Sequence, residues 1–341
     1  MRSLTVTDDR VVDWHEVADP RIQGPGEAIV RPLAVALCDL DRPIIIGEAP
    51  VPPPVAIGHE CVAEVVEVGE GVRSFAPGDL VVVPFQISCG VCDRCRAGLT
   101  GDCREVQPGS MYGFGSFGGD WGGLASDLAR VPFAETMLVA VPDGVAPATL
   151  ASASDNIPDA WRTVAGPLAE RPGADVLVIG GGARSIGLYA VDIARALGAG
   201  EIVYVDTDPD RLALAAELGA EAIEGLERKY KRRQITVNAT TTHEGLHAAL
   251  RSTARNGVCT SVGIYYEETT PVPLLEMYTA GVRFVTGRVA ARPVIPPILE
   301  LAAEGAIHPE RVTSNVAAWE DAPEAVLAEE TKLVIEREAS A

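Results

Sequence analysis

The stretch "DVLVIGGGARSIGLYAVDIARALGAG", residues 175–200, narrows the folds open to this chain more than any other. Val176–Ile179 is an unbroken apolar run, the pattern of a strand covered on both faces in a parallel sheet. Glycines interrupt it. Beyond them Ile186, Ala190, Ile193, Ala194 and Leu197 recur near helical spacing, and Gly198 supplies the stop. The runs "EIVYVD", "ITVNAT" and "GVCTSVG" add strands, so the chain from about residue 155 reads as a doubly wound α/β sheet. At a strand–turn–helix of this kind, backbone N–H groups and the helix dipole hold a pyrophosphate. Asp206 ends the next strand, nineteen residues after Gly187. It is placed to accept hydrogen bonds from ribose hydroxyls, and its charge repels a 2′-phosphate, which favours NAD over NADP. Gly180, Gly182 and Gly187 form G-x-G-x4-G, two residues longer than the usual dinucleotide fingerprint. Arg184 lies inside that turn, either against the phosphates or out in solvent.

The first 150 or so residues have another texture. Short runs such as "CVAEVVEVG" and "DLVVVPF", punctuated by turns such as "APGD" and "VPDG", read as a β-rich domain of barrel type. With 341 residues, 47% of them hydrophobic and 22% charged, the chain has material for two cores. A formal charge of −20 argues against nucleic acid or an anionic membrane as partner and leaves a small molecule. The sequence offers no secretory leader and no membrane-length apolar run, so the cytoplasm is the expected compartment. The basic run "RKYKRR", residues 228–233, reads as a solvated loop or helix face.

Seven cysteines, most of them before residue 104, suit reduced metal ligands better than disulfides. Cys89, Cys92, Cys95 and Cys103 in "CGVCDRCRAGLTGDC" are spaced C-x2-C-x2-C-x7-C. Four thiolates on a short glycine-containing loop can wrap one tetrahedral zinc, and a closed four-ligand site is structural. Unligated buried thiols are the weaker alternative. An iron–sulfur cluster is a rival, but ferredoxin spacing places the fourth cysteine three residues on and follows it with proline. Here the gap is seven and Arg104 follows.

Together with Cys38 and Asp41, "GHE" at 58–60, "GGDWGGLASDLARVP" at 118–132, "SDN" around Asp155 and the glycine-rich unit, this lobe resembles the zinc-dependent alcohol dehydrogenases of the medium-chain dehydrogenase/reductase superfamily. The resemblance implies a GroES-like catalytic domain over 1–154 with a zinc lobe at about 86–104, a Rossmann domain over 155–288, and a C-terminal segment, 289–341, that returns to the catalytic domain. It also implies a homodimer or homotetramer, and a catalytic zinc beside the structural one. Cys38, His59 and Asp155 match the catalytic ligands, leaving a fourth position for water or substrate oxygen. Glu60 matches a glutamate near the metal that exchanges with a ligand, and Asp41 a supporting carboxylate. Gly180, Gly182, Arg184, Ser185, Ile186, Gly187, Asp206, Arg211, Val262 and Gly263 form the expected NAD-binding set. The implied activity is hydride transfer between nicotinamide and an alcohol or carbonyl.

Three residues depart from the family pattern. Leu40 stands where a Ser or Thr hydroxyl usually starts the proton relay, Pro43 near the usual relay histidine, and Asp159 where a Thr adjoins the nicotinamide. General acid–base transfer contributes typically about 10²–10⁴-fold, so another proton route is expected, with Asp159, Asp41, zinc-bound water or the substrate itself as carriers. Reduction of an activated C=C bond, or a binding protein that has lost catalysis, are the alternatives. Two motifs read as chance matches. "HEGLH", residues 243–247 with Glu267, imitates a zinc-protease helix, and "ARSIG", residues 183–187 with His308 as base, imitates a serine nucleophile elbow.

Overall fold

A computed structural model describes residues 1–337, which divide into two compact units. The first contains Met1–Pro158, Ala290–Ala303 and the described residues from Thr313. It is β-rich. Its larger sheet runs Asn315–Ala318, Leu333–Glu336, Ala28–Ala36, Glu60–Val68, Leu80–Val83 and Val139–Ala140, with Ala129–Val131 also pairing with Ala28–Ala36. A smaller sheet joins Val12–Glu16, Arg2–Val6 and Val55–Ala56. Three register facts matter for chemistry. Ala36 lies opposite Glu60 in an antiparallel pair, so Cys38, just past one strand's end, falls beside His59, just before the other's start. Val334 lies opposite Ala36 on the other side, which brings Lys332 to the same end. The segment Ala151–Ser154 is stapled to this sheet by Ser154, whose hydroxyl accepts from Cys61 N–H at 2.9 Å and donates to Cys61 C=O at 3.1 Å.

The second unit, Asp159–Val289 with Glu304–Val312, is a six-stranded sheet with every pair parallel. Its order is Glu221–Glu224, Ile202–Asp206, Val176–Ile179, Arg233–Asn238, Thr253–Ser261 and Arg283–Val285. The chain reverses its direction of growth between Val176–Ile179 and Arg233–Asn238, and ligands of such sheets bind beyond the carboxyl ends at that reversal. Val176–Ile179 is fully buried, as its unbroken apolar pattern requires. The helix Arg184–Ala196 differs from the one-faced expectation: every residue from Ser185 to Ala194 is buried. Asp192 is among them, and it accepts from His308 N–H at 2.6 Å and Arg195 at 2.7 Å. The His308 bond, with one from Arg195 to Ala306 C=O at 2.7 Å, holds Glu304–Val312 in the second unit, so the C-terminal segment does not return from residue 289 in one piece. Arg233 is a further difference, since the basic run feeds a strand and its guanidinium is buried against Glu201 at 2.7 Å.

Candidate metal centres and dinucleotide site

In the four-cysteine lobe the chain folds around sulfur. Gly90 turns with φ +73°, where a Cβ would also lie 2.4 Å from Thr136. The backbone N–H groups of Val91 and Cys92 reach the Cys89 sulfur at 3.4 Å, and Cys89 N–H reaches Cys103 at 3.3 Å. Backbone N–H groups of Arg104 and Cys95 bring the Cys92 thiol down to about 6, while burial holds Cys95 up. The four ligand atoms lie within 4.8 Å of one another, and all seven cysteines are free thiols. This donor set fits a single thiophilic cation such as zinc.

The second cluster is assembled from distant segments. The ligand atoms of Cys38, His59, Glu60 and Asp155 also lie within 4.8 Å of one another. His59 Nε2 faces Asp155 at 3.5 Å and Nδ1 faces Asp41 at 3.5 Å. Thus one ring nitrogen points into the cluster and the other toward a supporting carboxylate, as in metal sites where a second group fixes the imidazole. His59 Nδ1 and Asp41 Oδ1 are buried and otherwise unbonded, so the pair has no competing use. Asp41 opens the short helix Asp41–Ile46, and its other oxygen accepts Cys38 N–H at 2.8 Å. Burial disfavours protonating His59, but the Asp41 and Asp155 carboxylates outweigh it and hold the imidazole up to about 9. Burial raises Glu60 to about 7 against the pull of Lys332. A thiol, an imidazole and carboxylates around one point fit a mixed-ligand zinc site.

Lys332, Asn156 and Phe85, all beside this cluster, escaped the sequence reading. Lys332 is fully buried, 2.7 Å from Glu60, and donates to Leu37 C=O at 2.8 Å. Its only signal is a cation directly before the apolar run "LVI". Asn156 donates its backbone N–H to Glu60 at 3.2 Å. The rings of Phe114 and Phe85 lie 5.0 and 6.0 Å from His59 and form an apolar wall. Leu40 and Pro43 stand at the start of the Asp41–Ile46 helix and offer no exchangeable proton. Asp159 is ion-paired to Arg162, whose other nitrogen donates to Ser261 C=O at 3.2 Å.

In the second unit the glycine-rich turn is tight because protein, as well as any ligand, crowds it. A Cβ at Gly182 would meet Thr241 at 2.5 Å, one at Gly263 the Thr240 carbonyl at 2.1 Å, and one at Gly180 the Tyr204 hydroxyl at 2.4 Å. Val262 N–H bonds Asn238 C=O at 3.0 Å, so the ends of two neighbouring strands and the turn meet at the topological reversal. Ile186 and Gly187 are buried in the helix behind it, and Arg184 is half-buried. Arg211 grips Asp206 with two bonds of 2.8 Å. Ser185 is fully buried, whereas a nucleophile elbow needs its hydroxyl exposed. "HEGLH" does form a helix, but His243 pairs with Glu267 and His247 with Pro271 C=O, and the two rings are 6.4 Å apart. Among the described residues, the groups placed to hold a metal are the two clusters above.

Comparison with known proteins agrees with this architecture. Residues 24–143 match the alcohol dehydrogenase GroES-like domain, and residues 185–304 match the zinc-binding dehydrogenase family. Over 336 residues the chain is 30% identical to a Mycobacterium tuberculosis protein named a probable zinc-binding alcohol dehydrogenase, covering 94% of this chain and 83% of that one. The chain belongs to the zinc-dependent alcohol dehydrogenase family. It is therefore an enzyme, an oxidoreductase built from a GroES-like domain and a Rossmann-type domain. This family member superposes on an alcohol dehydrogenase from Thermus sp. ATN1 with a TM-score of 0.89 and 32% identity, over 99% of this chain and 100% of that one. An NAD-dependent alcohol dehydrogenase aligns with a TM-score of 0.80 and 27% identity, over 98% and 99% of the two chains. No helix among the described residues is long and apolar enough to cross a membrane.

Proposed function

We propose that this oxidoreductase binds two zinc ions per chain and moves a hydride between NAD(H) and an alcohol or its carbonyl partner. The observation that carries the proposal is the meeting of Cys38, His59, Glu60 and Asp155 within 4.8 Å, with Asp41 behind His59. Cys38, His59 and Asp155 would hold the catalytic zinc, with Glu60 as the exchanging carboxylate, and Cys89, Cys92, Cys95 and Cys103 the structural one. A zinc ion in the first site supplies Lewis acidity toward a substrate oxygen. The protein does the rest. Asp41 orients the imidazole, Lys332 balances the Glu60 charge, and Phe114 and Phe85 keep water from the flank of His59. Asp206 and the turn at Gly180–Gly187 receive the dinucleotide, with NAD preferred over NADP because a buried carboxylate repels a 2′-phosphate. The proton leaves by a route other than Leu40 and Pro43. Asp159 is the carrier proposed, with its carboxylate positioned by Arg162.

The hydroxyl missing at Leu40 favours one second reading, reduction of an activated C=C bond, in which the substrate's enolate collects its proton from solvent. Turnover of an alcohol, aldehyde and enone panel with 4-deuterated NADH separates the two. Label on the carbinol carbon is expected, label on the β carbon supports the second reading, and no cofactor oxidation with any member defeats both. Asp159→Asn should lower turnover on the order of 10²-fold with zinc content unchanged, and unaltered turnover removes Asp159 from the proton route. The reading includes a homodimer or homotetramer. It is supported by exposed Leu274, Leu275 and Tyr278 near the edge strand Arg283–Val285, which sedimentation can test.

A further inference from the structure

Asp206 is 3% exposed at the end of its strand. Its Oδ1 accepts the backbone N–H groups of Thr207 at 2.7 Å and Asp208 at 3.1 Å, and Arg211 Nη2 at 2.8 Å. Its Oδ2 accepts the Tyr204 hydroxyl at 2.7 Å and Arg211 Nε at 2.8 Å. Five donors on a group with about four lone-pair sites leave it saturated. A ribose hydroxyl reaches this carboxylate only by replacing one of them. The two amides are fixed by the chain. Tyr204 is fully buried, and its hydroxyl is closed in by Gly180, where even a Cβ would lie 2.4 Å away. Arg211 is different. It is a long side chain in the first turn of the helix Pro209–Glu217, with a second carboxylate, Asp208, 3.3 Å from Nη1 to hold it when it lets go.

We infer that Tyr204 is a specificity-determining residue for the dinucleotide, the fixed partner that keeps the Asp206 carboxylate in place while the ribose displaces Arg211. Tyr204 and Asp206 share one face of the strand because side chains alternate with period two, so the hydroxyl meets the carboxylate without distorting the backbone. With the hydroxyl present, the 2′-hydroxyl of NAD finds a held acceptor and the 2′-phosphate of NADP a held negative charge. The inference rests on the NAD reading above.

Tyr204→Phe removes one oxygen and adds no volume. Binding of NADH, NADPH and 2′-deoxy-NADH to the full chain is read by nicotinamide fluorescence, with thermal unfolding as a fold control. The Kd for NADH should rise about tenfold, the scale of one hydrogen bond to a charged group. The Kd for 2′-deoxy-NADH should change less than about twofold, because it lacks the 2′-hydroxyl that Asp206 receives, and the Kd for NADPH should stay level or fall, because a carboxylate no longer held repels the 2′-phosphate less. Wild-type NADH affinity in the variant overturns the inference, and so does equal weakening toward all three ligands, which marks a merely structural role. Failure of the NAD reading has another signature: wild-type protein that binds no dinucleotide, or binds NADPH as tightly as NADH, and then the inference falls with it.

Discussion

The two candidate metal clusters of the first unit solve one problem in opposite ways. The four-cysteine lobe draws its ligands from fifteen consecutive residues, and backbone N–H groups donated to sulfur are its main support. The Cys38–His59–Glu60–Asp155 cluster draws on three segments separated along the chain and is backed by two buried charges, Asp41 and Lys332. A closed set of thiolates needs no further positioning, because the metal itself completes the fold of the loop. A mixed set of donors drawn from distant segments must be held by the protein, and here the sheet register and buried ion pairs do the holding.

The sharpest way to break this contrast is to remove one ligand from each cluster. Cys38→Ser should cut turnover on the order of 10³-fold, equivalent to several kcal/mol of lost charge stabilisation, while one of two zinc equivalents remains. Cys103→Ser should instead lower the thermal midpoint and release the lobe's zinc, with the other equivalent retained. Zinc analysis beside turnover checks both, and identical behaviour of the two variants would erase the distinction.

Removing the buried supports comes next. Lys332→Met leaves Glu60 buried without its counter-charge, and breaking such a pair costs about 3–5 kcal/mol in denaturant titrations. An unchanged midpoint would mean that Lys332 does not support the cluster. Asp41→Asn should weaken zinc affinity at the first site about 10- to 100-fold and leave the lobe's affinity alone, as competition with a chelator would show.

The smallest effect is a pH dependence of metal binding at the Cys38–His59–Glu60–Asp155 cluster. His59, held up to about 9, carries a proton at neutral pH in metal-free protein, and a ligand nitrogen must lose it. Affinity at this site should therefore rise between pH 7 and about 9 as His59, and the Cys38 thiol that burial holds well up, give up their protons, with proton release seen as a buffer-dependent binding enthalpy. Affinity that is flat between pH 7 and about 9 would remove His59 protonation from the binding equilibrium.

Much of the molecule could be read from order along the chain. The four inner strands of the doubly wound sheet have their apolar runs, the glycine turn has its helix, and the lobe has its cysteine spacing, because all of these depend on neighbours in sequence; the edge strands Glu221–Glu224 and Arg283–Val285 carry no such run. Tyr204 was legible too, two residues before Asp206 and so on the same face. The detachment of Glu304–Val312 was not, since it depends on Asp192, more than a hundred residues away and buried in what reads as an ordinary amphipathic helix.

The sequence by itself determined the residue types of both candidate metal clusters and the alternation of strand and helix, since covalent spacing and hydrophobic period act locally. Only the tertiary structure decided which charges share a buried space. Lys332 meets Glu60, and Arg211 saturates Asp206, because strand register and helix placement bring them within hydrogen-bond reach. In a low-dielectric interior such a meeting fixes which groups are held and which are free to act.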